Sequence, residues 1–267
     1  MAVDWQIAAL QQALTAVAPD CAVEVLPQIA STNTELMHRA RSGTTLPVLL
    51  VAERQTAGRG RLGRTWHSTA DGEATGASAD VPSLTFSIGM PFAPTDWSGL
   101  SLAVGVSVAR ALHPTLGLKW PNDIWLNDRK LAGILIETAA VGVSRYLVVG
   151  VGINIAPRDA AGLSTPPACL QELLPDADAP AALLRIAPAL LQALRLYEAK
   201  GFAPFHAAFS ASDVLQGRPV QLSNGVFGTA CGVDERGVLL VHTSSGMTRV
   251  NSAEVSVRPA SVPDGKP

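Results

Sequence analysis

Between residues 53 and 82 the chain loses its apolar periodicity and becomes rich in glycine. Unstructured connections longer than about 12–15 residues are uncommon in compact domains, and they are usually functional or disordered. The flanking segments read as buried strands, LPVLLVA at 46–52 and SLTFSIGM at 83–90. The pattern therefore calls for a sheet that carries a working loop between two of its strands. The first half of that loop is basic, GRGRLGR at 58–64, and the second half, DGEATGASADVPS, reads as flexible.

With 267 residues and 48% hydrophobic side chains, the chain can build one large domain, or one with a small appendage. Its net charge is −2, which gives no global reason to expect nucleic acid or an acidic surface as partner. Any positive site must be local. Cys21, Cys169 and Cys231 are far apart, odd in number and without CxxC spacing. That argues against a zinc site or disulfide framework and for free thiols in a reducing compartment. No apolar run reads as long enough to span a membrane, and the N-terminus, with Asp4 and no basic region, does not read as a signal peptide. A cytoplasmic location is expected.

Periodicity predicts helices at 5–18, 98–112 and 181–200, and one beginning just after Ser31-Thr32-Asn33, where short polar side chains can cap it. Strands are expected at 22–26, at 117–126 with Pro121 inside, at 130–138 and at 145–155. After about residue 213 five short β-rich runs follow: RPVQL, VFGTACGV, GVLLVHT, MTRV and EVSV. Their spacing suggests a small barrel or sandwich. The expected division is 1–213, 214–260 and a disordered tail at 261–267. The expected class is α/β (α+β).

Residues 58–63 match the pattern G-x-G-x-x-G. A dinucleotide-binding turn needs a helix directly after the glycines, and RTWHSTADGEATG cannot start one. Arg59, Arg61 and Arg64 instead place three guanidinium groups within six residues, with glycines that let the backbone wrap a ligand. Guanidinium groups pair bidentately with phosphate, and Trp66 adds a flat face for stacking. A solvated basic loop and an RNA-binding patch are the competing readings. The second cluster is KWPNDIWLNDRKLAGILIE at 119–137. It puts Lys119, Asn122, Asp123, Asp128 and Lys130 into strand-like sequence, where charges need solvent or partners.

Five motifs in order, STN (31–33), ERQTAGRGRLGRTW (53–66), KWPNDI (119–124), KLAGILIE (130–137) and GVGINI (150–155), resemble the motif set of biotin–protein ligases. The resemblance implies a mixed β-sheet domain akin to class II aminoacyl-tRNA synthetases and a C-terminal SH3-like β-barrel. It implies activation of biotin by ATP to biotinyl-5′-AMP, then transfer to a lysine of the biotin carboxyl carrier protein of acetyl-CoA carboxylase. Ser31, Thr32, Asn33, Gln55, Arg59, Gly60, Arg61, Lys130 and Gly133 would then surround biotin. Arg64, Trp66, Lys119, Asn122 and Asn154 would surround ATP. Lys130, Arg61 and Asp123 would carry the catalysis, and Asp123 would help bind Mg²⁺ that comes with ATP. Lys130 suits its role because a cation offsets the repulsion between carboxylate and phosphate. The arginine loop is expected to act as a lid, mobile without ligand. His38, His67, His113, His206 and His242 fit no ligand spacing and read as structural or surface residues.

Two departures from the family pattern stand out. Only about thirty residues precede STN, too few for the DNA-binding domain of some members, so no DNA partner is expected. An inserted stretch, residues 70–82, follows the loop, and Ser83-Leu84 stands where the family usually has Asn-Leu. The rivals are a lipoate–protein ligase, which shares the fold, and a non-catalytic binding module. No membrane partner is expected, and monomer and homodimer both remain open.

Overall fold

The computed structural model describes residues 3–68, 81–142, 144–158, 167–251 and 257–260. Most of the expected flexible stretch, most of the EVSV run and the expected disordered tail lie outside these residues. A seven-stranded mixed sheet runs in the order β1-β2-β3-β7-β6-β5-β4. Its strands are β1 Ala22–Ile29, β2 Val48–Gln55, β3 Ser83–Pro91, β4 Gly117–Lys119, β5 Asp123–Leu126, β6 Arg129–Val141 and β7 Ser144–Asn154. β1 and β2 are parallel, and every other neighbouring pair is antiparallel.

Strand periodicity divides the work between the two faces. On β6 and β7, Ala132, Ile134, Val149, Val151 and Ile153 point into the main core. That core also contains side chains of α1 (Ile7–Thr15), α3 (Leu100–Leu112) and α4 (Ala179–Lys200). The alternate positions pair as Gly133 with Gly152 and Leu135 with Gly150, and β3 adds Thr85 and Ser87 in register. At one end of this second face, α2 (Thr32–Arg41) packs Leu36, Met37 and Ala40 on Val48, Leu50, Ala139, Tyr146 and Val148. The rest of the face is left for a cavity.

The expected single strand at 117–126 is two strands, β4 and β5, joined by a turn. Pro121 sits in that turn after a cis Trp120–Pro121 peptide bond. Proline has no N–H to give a ladder, so it belongs in the turn and not inside a central strand. A short helix, α5 (Ala203–Ser210), follows α4. It has only eight residues and begins just after α4 ends, so its periodicity does not stand apart in the sequence. α4 itself is 22 residues and apolar enough to cross a membrane by length and composition, which the sequence reading did not anticipate. Its apolar stripe, Leu183, Ile186, Leu190, Leu191, Leu194 and Tyr197, lies within the core.

A second, five-stranded antiparallel sheet has the order β11-β10-β9-β8-β12. Its strands are β8 Pro219–Leu222, β9 Phe227–Val233, β10 Leu239–Thr243, β11 Gly246–Val250 and β12 Val257–Pro259. Among the contacts that fasten it to the first domain, two stand out. Trp120, 1% exposed, donates its indole N–H to the Gly237 carbonyl at 3.1 Å. Arg236 pairs with Asp96, whose carboxyl that hydrogen bond holds down at about 2. Trp120→Phe should leave the Gly237 carbonyl buried and unpaired, costing about 1–3 kcal/mol. A lowered urea midpoint with an unchanged slope would show this.

Candidate active site

The cavity on the second sheet face has a volume of about 510 Å³. That is within the range of small-molecule sites, about 300–1,000 Å³. The structure brings to its wall every site residue named from sequence: Ser31, Thr32, Asn33, Gln55, Arg59, Gly60, Arg61, Arg64, Trp66, Lys119, Asn122, Asp123, Lys130, Gly133 and Asn154.

At one end the residues are amides and hydroxyls. Ser31 caps α2 by accepting the Thr34 N–H. The Gln55 amide oxygen accepts from the Thr32 backbone N–H (2.8 Å) and hydroxyl (3.2 Å). Its amide NH₂ donates to no described residue, and Gln55 lines the cavity. Asn33 is 3% exposed. Its amide NH₂ donates to the Leu135 carbonyl (3.3 Å) and to Glu137 (3.0 Å), while its oxygen lies 2.7 Å from the Ser87 hydroxyl. Ser87 is also 2.7 Å from the Thr32 hydroxyl, so one proton serves two acceptors in turn. Asn33 fits only because residue 150 is glycine, since a Cβ there would overlap its amide oxygen.

At the other end the residues are charged. Asp123 sits between two ammonium groups, Lys130 Nζ at 2.7 Å and Lys119 Nζ at 3.6 Å. Burial pushes Lys119 below the usual lysine range despite that carboxylate. Arg61 is likewise pushed down by burial, and its guanidinium donates to Asn122 at 3.2 Å. Asn122 in turn donates to the Ile134 carbonyl at 2.7 Å, which ties the KWPND turn to β6.

Lys130 owes its place to a β-bulge. One step on β5, from Ile124 to Trp125, corresponds to two on β6, from Ala132 to Lys130. A bulge of one residue reverses which face a side chain meets. Leu131 thus joins the main core, while Lys130 lies beside Gly133 on the cavity face. The Lys130 carbonyl is also held, by Asn154 Nδ2 (3.4 Å) and the Ala168 N–H (2.8 Å).

Asn154 lines the cavity and also braces the backbone around it. Its NH₂ holds the Lys130 and Ala168 carbonyls, and its oxygen accepts from Arg158. For Asp123 the expected Mg²⁺ contact meets two lysines already on the carboxylate. Among the described residues there is no cluster of three His, Cys, Asp or Glu side chains that could hold a metal. Mg²⁺ that comes with ATP needs only one or two protein carboxylates beside the phosphates, and Asp123 is the residue on the wall that would reach it.

The glycine loop is a small hairpin. Gly60 donates to Arg64, Trp66 to Gly58, and Arg59 bridges Thr65. Leu62 and Gly63 turn it with φ of 56° and 71°. Positive φ at a leucine is unfavourable, and Leu62 lies exposed at the tip. A Cβ at position 58 would strike the Trp66 carbonyl, so the close approach of the two legs requires Gly58. Trp66 lies against Gly152 and Gly133, and its indole N–H is buried without a partner among the described residues.

Sequence reasoning missed several residues at or near the wall. Gly150 and Gly152 were visible as the polar-side alternation of β7, and Ser87 as that of β3. Arg158, Arg218 and Arg258 also line the cavity, Arg218 from just before β8 and Arg258 from β12, and nothing local in the sequence marks them. His67, read as structural or surface, lines the cavity too, and its carbonyl accepts from Arg158.

A mixed sheet, a basic hairpin and a lysine–aspartate pair beside a polar pocket can hold a polar group and an anion side by side. Residues 25–154 match the Biotin/lipoate A/B protein ligase family, and 217–258 match the Biotin protein ligase C terminal domain. The bifunctional ligase/repressor BirA of Escherichia coli is 35% identical over 251 residues, covering 89% of this chain and 74% of that protein. The biotin–[acetyl-CoA-carboxylase] ligase of Mycobacterium tuberculosis is 33% identical, covering 87% and 88%. A biotin protein ligase from Aquifex aeolicus, solved with biotin and ATP, superposes with a TM-score of 0.74 at 28% identity, covering 90% and 99%. The chain belongs to the biotin protein ligase family and is an ATP-dependent ligase.

Gly152→Ala should drive the Trp66 indole from its seat. Misplacing a packed ring costs about 1–3 kcal/mol. Steady-state kinetics should show KM for ATP raised roughly tenfold.

Proposed function

We propose that this chain joins biotin to ATP to form biotinyl-5′-AMP and then passes biotin to a lysine of the carrier protein of acetyl-CoA carboxylase. The observation that carries the reading is a single cavity with amides and hydroxyls at one end and Lys130, Asp123 and Arg61 at the other. A buried urea needs donors and acceptors, and the Gln55 amide NH₂ and the hydroxyls of Ser31 and Thr32 supply both. That polar end favours biotin over lipoate, whose dithiolane ring has no comparable hydrogen-bonding groups. The Aquifex relative solved with biotin and ATP supports the same pair of substrates.

In the first step a biotin carboxylate oxygen attacks the α-phosphorus and pyrophosphate leaves. Lys130 stands where two anions must meet, and Asp123 keeps its ammonium group in place. In the second step the carrier lysine, as free amine, attacks the acyl carbon, and AMP leaves with the bonding electrons. Its departing proton passes to Asp123, a carboxylate on the wall. Arg61 and Arg64 flank the phosphates, with Arg218 and Arg258 contributing from the C-terminal domain. Asp123 would help hold the Mg²⁺ that accompanies ATP, and the ion would supply charge neutralisation at the phosphates. The domain architecture is class II synthetase-like with an SH3-like C-terminal module, in keeping with adenylate chemistry. A reducing, cytoplasmic setting completes the proposal, supported by three free cysteines.

Lys130→Ala tests the first step. Pyrophosphate release with biotin and ATP should fall by roughly two to three orders of magnitude. The side chain is one-third exposed, so folding stability should change by less than about 1 kcal/mol. Near wild-type release would remove Lys130 from the mechanism.

A further inference from the structure

We propose that Glu137 is a positioning residue that latches the arginine hairpin over the cavity and fixes the amide of Asn33 in one orientation. The inference rests on the biotin-adenylating function above, and it concerns a residue given no part there. Glu137 lies on the cavity face of β6, two residues beyond Leu135. One carboxylate oxygen pairs with Arg59 at 3.2 Å, and the other accepts from Asn33 Nδ2 at 3.0 Å. Both of those partners line the cavity.

The consequences follow from donor counting. Asn33 has two amide hydrogens, and Glu137 and the Leu135 carbonyl take both. The amide therefore cannot flip, and its oxygen stays towards Ser87 and Gly150. Turning it over would set the oxygen against a carboxylate. The second arm acts on the hairpin. Its legs are held to each other at Gly58–Trp66 and Gly60–Arg64. The ion pair from Arg59 adds a tie from the hairpin to the central sheet. Arg59 is half exposed and Glu137 one-fifth exposed, so this pair adds little to global stability. A pair of small global worth on a segment that closes over ligand is suited to gating. A single carboxylate thus couples closure of the hairpin to the part of the pocket that reads the urea.

Glu137→Gln and Glu137→Ala separate the two arms. Glutamine retains an acceptor for Asn33 and loses the charge for Arg59, whereas alanine loses both. In the ligand-free full-length protein, trypsin should cut after Arg61 and Arg64 roughly tenfold faster in Glu137→Gln than in wild type. Thermal unfolding should hardly move. With biotin and α-labelled ATP, the adenylate should dissociate faster from both variants, and KM for biotin should rise more in Glu137→Ala than in Glu137→Gln. In an Arg59→Gln background, Glu137→Gln should add nothing to either rate. Unchanged trypsin cleavage would overturn the latch, as would effects of Arg59→Gln and Glu137→Gln that simply multiply. A lower melting temperature with no change in cleavage would likewise overturn it and leave Glu137 an ordinary brace. If wild type forms no adenylate, the proposed function fails, and the cleavage rates still decide the latch.

Discussion

The alternation along β6 and β7 is the constraint on which the rest depends. A strand sends successive side chains to opposite faces, so one sequence must satisfy two environments. In GVGIN the valine and isoleucine positions fill the main core, and the glycine positions leave room on the other face. The room is occupied at once: Asn33 uses the space above Gly150, and Trp66 uses that above Gly152 and Gly133. A binding face made by omission is rigid, because the opposite face of the same strands is close-packed.

On that floor the charges are arranged for a local purpose. A chain of net charge −2 concentrates Arg59, Arg61, Arg64, Lys119 and Lys130 around one cavity, with Asp123 and Glu137 as the nearby counter-charges. Burial pushes down the pKa of both Lys119 and Arg61, which reports that cations are being kept out of water at some cost. Asp123 limits that cost by serving two lysines, and the arrival of a polyanion reduces it further. The site is thus better satisfied with substrate than without it.

Much of this was legible in the sequence, and the reasons differ by residue. Lys130, Asp123, Arg61 and the STN segment stood out because charged or polar residues in strand-like or cap positions demand explanation. Ser87 was equally visible in the alternation of SLTFSIGM but carries no charge to draw attention. The use of Asn154 as a backbone brace was not legible, because its partners lie 14 and 24 residues away in chain. The bulge at Lys130 was hidden for a related reason. KLAGIL reads as a uniform strand, and only the pairing with β5 shows that one step there matches two here. Pro121 was assigned to a strand although a missing N–H should have signalled the turn.

The bulge explains why a lysine can stand so close to a hydrophobic core without being buried in it. With regular pairing on β6, residue 131 would share the cavity face with Gly133 and residue 130 would point to the core. A lysine there would have to give up its charge or drag water inward. The extra residue exchanges the two, and Leu131 becomes fully buried instead. Asn154 and Ala168 then bond the Lys130 carbonyl, so the irregular backbone is not left unsatisfied. Position and charge are thus set by backbone geometry before any ligand arrives. The side chain has only to pair with Asp123, and little reorganisation remains when substrate binds.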